Sequence, residues 1–114
     1  MVRCLFVYGT LAPGRPNEHV LSGVSGAWER GFVRGDLVDR GWGAAAGYPA
    51  LVLREESPEV SGFLFTSAAL PELWSALDDF EGPGYDRVLT RARTESGVVV
   101  DAWVYVDRAV SDHA

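Results

Sequence analysis

One stretch of this chain, from Ser67 to Glu81, carries a helical period, and the apolar runs on either side of it are too short or too regularly alternating to be helices. Within it Leu70, Leu73, Trp74, Leu77 and Phe80 recur at three- and four-residue intervals, Pro71 fits only a first turn, and Gly82 supplies the stop. The other segments read as strands. Arg3 to Tyr8 is apolar and ends at Gly9, ahead of the turn-rich Ala12-Pro13-Gly14-Arg15-Pro16. Gly31 to Asp39 predicts a strand with a bend or bulge near Gly35. Tyr48 to Arg54 and Glu59 to Thr66 predict two strands forming a hairpin across Glu55-Glu56-Ser57-Pro58, and Tyr85 to Thr94 pairs with Val98 to Val106 across Glu95-Ser96-Gly97. A short helical turn is expected from Pro16 to Ser22, a loop from Gly41 to Gly47, and a polar, frayed tail from Asp107 to Ala114. Many strands with one long helix inserted late predict an α+β fold, a roll or small barrel rather than a repeating βαβ sheet. A length of 114 residues suffices for one domain spanning 1–114 with its own core.

Charge narrows the function classes. The formal net charge of −6 and scattered basic residues argue against nucleic acid, which calls for a clustered basic face. All ten basic residues are Arg, so a lysine nucleophile, a Schiff base and a phosphate-binding lysine are excluded. Two His and one Cys, without His-x-x-x-His or Cys-x-x-Cys spacing, predict no metal site. No Gly-x-Ser-x-Gly elbow is present. Cys4 has no intramolecular partner and sits in an apolar run, which points to a buried thiol in a reducing, cytoplasmic compartment. No stretch reaches membrane-spanning length, and the apolar run at the N-terminus is too short for a signal peptide.

Two places carry chemistry. In Val7-Tyr8-Gly9-Thr10-Leu11 a glycine falls where a buried strand ends, so the amides of Gly9, Thr10 and Leu11 either converge on a carboxylate or form a tight turn that merely leaves the sheet. Glu81 lies four, seven and eleven residues from Leu77, Trp74 and Leu70, which places an acid on the apolar stripe. There, at a helix C-terminus, desolvation and the helix dipole both raise its pKa toward neutrality and suit it to proton transfer. The alternative is a helix ending at Phe80, with Glu81 in water. Neighbouring Asp78 and Asp79 read as solvated surface acids, and Arg91 and Arg93 as a solvated face. Tyr8, Tyr48, Tyr85 and Tyr105 fall in or beside predicted strands, the usual place of core tyrosines.

The Tyr8-Gly9-Thr10-Leu11 turn, Gly47-Tyr48-Pro49-Ala50, and Asp78-Asp79-Phe80-Glu81-Gly82 followed by Tyr85-Asp86-Arg87 occur in an order and spacing that resembles the gamma-glutamylcyclotransferase-like family. Phe6 to Leu11 followed by Pro16-Asn17 is similar especially to its gamma-glutamylamine cyclotransferase branch. The resemblance implies a mixed β-barrel or roll with flanking helices, no cofactor, and an enzyme that releases an amine or amino acid from a small gamma-glutamyl substrate by closing the glutamyl part into 5-oxoproline. It implies Glu81 as the essential acid and Gly9, Thr10 and Leu11 as backbone-amide ligands of the glutamyl end. By the same resemblance Tyr8 lines the pocket, and Tyr85 and Tyr105 are wall residues. Ala12 departs from the basic residue of many relatives. Two other readings remain: a non-catalytic module binding gamma-glutamyl or other carboxylate metabolites, and a partner-binding roll using an exposed Trp28 or Trp42 surface.

Overall fold

The computed structural model describes residues 2–8, 19–38 and 50–108. The predicted Gly9-Thr10-Leu11 turn, the 41–47 loop, Trp42, Tyr48 and most of the expected tail lie outside those residues. The elements are β1 (Cys4–Val7), α1 (His19–Ser22), β2 (Ala27–Val38), β3 (Ala50–Leu53), β4 (Glu59–Thr66), α2 (Leu70–Glu81), β5 (Tyr85–Thr94) and β6 (Val99–Asp107).

The period of two along the strands builds two cores on opposite sides of one sheet. In β1, Cys4 and Phe6 point to one side, where they meet Val33, Leu64, Ala92 and Val104. Leu5 and Val7 point to the other and meet Phe65, Tyr105, Leu70 and Leu77. A strand buried on both faces reads as an unbroken apolar run, which is what this segment shows. The first core fills a closed barrel and the second lies beneath α2. Each fully buried side chain such as Phe6, Leu5 or Leu70 contributes roughly 1.5–3 kcal/mol relative to exposure.

Closure follows from the pairings. β1 is antiparallel to β4 and parallel to β6, while β5–β6 and β2–β4 are antiparallel ladders. β2 then meets β5 at Gly31 and Phe32, completing the ring β2-β4-β1-β6-β5. The β5–β6 hairpin matches the sequence expectation, and the fold is the expected α+β mixed barrel with flanking helices.

The expected hairpin between β3 and β4 does not form. Both strands pair with β2, on opposite edges: the Gly35 amide donates to Pro58 O at 3.2 Å, while Arg34 O, the other end of that peptide, accepts from Arg54 N at 3.1 Å. The carbonyl and amide of one peptide point to opposite edges of a strand. β2 is longer than expected at its start, and its predicted irregularity near Gly35 marks where the β4 ladder ends and the β3 ladder begins.

Two further expectations are corrected. Asp107 is not in a frayed tail: it is fully buried at the end of β6, opposite Tyr85. Trp28 is half-buried, its ring 4.7 Å from that of Phe65, and offers no exposed platform. On the expected solvated face, Arg93 forms a two-pronged, exposed ion pair with Glu59 at 2.7 and 2.8 Å. Cys4 is buried, and burial pushes its thiol above its usual pKa, as fits a packing residue. No helix among the described residues is long and apolar enough to cross a membrane.

Candidate active site

The site begins with the end of α2. Ser67 turns the chain into this helix by accepting the Ala69 amide at 3.1 Å, and Pro71 occupies the first turn, where its missing N–H costs nothing. Leu70 and Leu77 are buried against the barrel, with Leu73 and Trp74 packed beside them. Phe80, expected on that stripe, is instead 43% exposed. Gly82 stops the helix at a positive φ (88°) that favours glycine, its amide donating to Asp78 O at 3.0 Å. The helix therefore includes Glu81, so the frayed alternative does not apply.

Glu81 is half-buried, and burial raises its carboxyl from an ordinary 4.5 to about 7. At neutral pH it is divided between its two protonation states, the condition for taking a proton and giving it back. Tyr8, at the end of β1, lies close enough for the charge of Glu81 to act on it. Burial pushes the Tyr8 phenol well above its usual pKa, and Tyr85, Glu81 and Asp107 add to this through their charges. Tyr8 donates to Tyr105 O at 2.7 Å.

Tyr105 is buried, and its hydroxyl donates to Asp78 Oδ1 at 2.7 Å. Burial, and then that bond to Asp78, keep its phenol protonated far beyond neutral pH. Tyr105 and Tyr85 line an open cleft of about 490 Å³ together with Asp78, Gly82 and Arg87. Glu81 is not on the wall of that cleft. Its charge acts on both Tyr8 and Tyr105. The structure thus gathers Glu81, Tyr8, Tyr85 and Tyr105 around the junction of α2, β1 and β6.

Sequence reasoning missed two members of this cluster. Asp78, 44% exposed as expected of a surface acid, is also paired: Arg87 Nε reaches its Oδ1 at 2.9 Å and Nη2 its Oδ2 at 3.4 Å. The Arg87 guanidinium, with help from Tyr105, holds the Asp78 carboxyl below its usual pKa. Arg87 in turn sits 4.5 Å from the ring centres of both Trp74 and Trp103. No local signal separates Asp78 from Asp79; the partners that do so reach it from β5 and β6.

These features define a class: a small mixed barrel capped by one helix whose last residue is a shielded acid poised to exchange protons near neutrality. The chain belongs to the family described as gamma-glutamyl cyclotransferase, AIG2-like, whose model matches residues 5–113. It is 30% identical over 107 residues to the gamma-L-glutamyl-butirosin B gamma-glutamyl cyclotransferase of Niallia circulans, covering 90% of this chain and 65% of that one. Among solved structures, it resembles YkqA of Bacillus subtilis (TM-score 0.71, 27% identity, 95% of this chain and 36% of that one). It also resembles an AIG2-like protein of Mus musculus (TM-score 0.67, 28% identity, 93% and 77%). The chain therefore spans less than two thirds of the length of the butirosin enzyme and of YkqA.

Proposed function

We propose that this protein is a gamma-glutamyl cyclotransferase that releases an amine or amino acid from a small gamma-glutamyl substrate and forms 5-oxoproline, acting in the cytoplasm without a cofactor. The observation that carries the reading is Glu81, half-buried at the end of α2 and raised to about 7. Family membership and the 30% identity to a butirosin-processing cyclotransferase support it.

The reaction is intramolecular. Glu81 takes a proton from the substrate's α-ammonium group, and the freed amine attacks the γ-carbonyl carbon, forming the ring C–N bond. The tetrahedral intermediate then expels the original amide nitrogen as Glu81 returns the proton to it, and the second proton on the ring nitrogen passes to the departing amine, which leaves as an ammonium ion. No water is consumed. Holding the two ends of one molecule together supplies much of the acceleration, because well-oriented ring closures reach effective molarities worth roughly 7–11 kcal/mol. Backbone amides of Gly9, Thr10 and Leu11 bind the substrate carboxylate, Tyr8 lines the pocket beside them, and Tyr85 and Tyr105 form its wall. The buried thiol of Cys4, inert and without a bridge, suits a reducing compartment.

The test is to incubate the purified protein with a panel of gamma-glutamyl amines and amino acids and to detect 5-oxoproline by mass spectrometry. The wild type releases it from at least one member, and Glu81→Gln, folded and still binding that substrate, loses at least a hundredfold in kcat, the scale of a lost general acid–base catalyst. Saturable binding with no product from any member would identify a metabolite-binding module instead.

A further inference from the structure

We infer that Asp78 is a positioning residue for Glu81, anchoring the last turn of α2 to β5 and β6 through Arg87 and Tyr105. This rests on the proposed role of Glu81 but concerns Asp78 and Arg87, which that role does not use.

The last turn of α2 has an electrostatic problem. It carries Asp78, Asp79 and Glu81 and no basic residue, at the end of a helix whose dipole disfavours negative charge. Left alone, such a turn frays, and Glu81 would move into water and lose the burial that sets its pKa. The missing cation comes from another element. Arg87, on β5, places its guanidinium edge on both carboxylate oxygens of Asp78 and its face against Trp74 and Trp103, which share an edge-on contact at 6.2 Å. A planar group held against two rings and along one edge has little freedom to wander. Its side chain is 20% exposed and that of Asp78 44%, so the guanidinium is the shielded half of the pair.

Asp78 is gripped at both ends. Its main-chain oxygen accepts the Gly82 amide, and its carboxylate also accepts the Tyr105 hydroxyl at 2.7 Å. The main-chain oxygen of Tyr105 accepts the Tyr8 hydroxyl at the same distance. One chain of contacts thus runs from the helix turn that carries Glu81, through β6, to Tyr8 at the end of β1. It fixes the separation between the acid and the strand end, and a displacement of about 1 Å in such a pair costs on the order of a hundredfold in rate.

The experiment measures kcat and KM for 5-oxoproline release by the wild type, Glu81→Gln, Asp78→Asn, Arg87→Met, Arg87→Lys and Tyr105→Phe, with melting followed by circular dichroism. Asp78→Asn and Arg87→Met should lower kcat by about 10- to 100-fold while KM changes less than about threefold, with Arg87→Lys recovering part of the loss. Should Asp78→Asn fail to fold, Arg87→Met, with its partial rescue by Arg87→Lys, decides by the same criterion. With Glu81→Gln inactive, folded variants that melt earlier but keep wild-type kcat would overturn the inference and leave the proposed function standing. So would a rise in KM alone, which marks a substrate contact. A wild type without turnover on the whole panel would overturn both.

Discussion

At Glu81 the proposed catalytic role opposes stability. Burial lets the folded protein keep the Glu81 proton up to about pH 7, whereas the unfolded chain releases it near 4.5. Between these values the folded state binds more protons, so stability falls as pH rises: the contribution is fully present below 4.5 and lost above about 7. Glu81→Gln cannot ionise. It should therefore melt close to wild type at pH 4.5 and several degrees higher at pH 8, an advantage of about 1–3 kcal/mol. Thermal melts at the two pH values check this, and equal differences at both would contradict it. The acid's place was legible in the sequence, because offsets of four, seven and eleven residues put it on the stripe with Leu77, Trp74 and Leu70. Its anchor was not. Nothing local to Asp78 distinguishes it from Asp79, and the difference lies in Arg87 and Tyr105, which reach it from other elements.

For single elements, the local signals were sufficient where the element is defined by its own residues. The period and the Gly82 stop locate α2, and the Glu95-Ser96-Gly97 turn fixes the β5–β6 hairpin, with Gly97 in a left-handed conformation (φ 97°). They failed where an element is defined by its neighbours. Turn residues 55–58 resemble a hairpin connection, yet β3 and β4 are claimed by opposite edges of β2. Asp107 looks like the start of a tail because it is polar, but the ladder with β5 continues to Tyr85 and carries it inside. The helix is held to the barrel chiefly by Leu70 and Leu77, both almost fully buried. Leu77→Ala should therefore cost about 2–5 kcal/mol in urea unfolding, and Phe80→Ala, on the exposed side, much less. Similar losses for the two would mean that the helix packs through a different face.

Across the whole molecule, the barrel acts as the frame that sets the distance from α2 to the end of β1. That frame is tight at Gly62 in β4, where an added Cβ would lie 2.6 Å from both Phe6 Cζ and Val7 O. The first contact can yield by side-chain rotation; the second is main chain, one residue before Tyr8. Gly62→Ala should destabilise the protein by roughly 1–3 kcal/mol and, by moving Val7, also weaken turnover, though no atom of Gly62 belongs to the proposed site. Normal kcat/KM in a destabilised Gly62→Ala protein would separate the frame from the function. The family assignment and the barrel agree with what sequence order and spacing implied, because short motifs kept in register across the chain constrain a fold even when each alone is common. The account as a whole depends on one physical state, a shielded Glu81 carboxyl that titrates near the working pH. A carbon-13 NMR titration of that carboxyl in the folded wild-type protein measures it directly: the midpoint should fall at about 7, and a midpoint at the ordinary value of 4.5 would contradict the account.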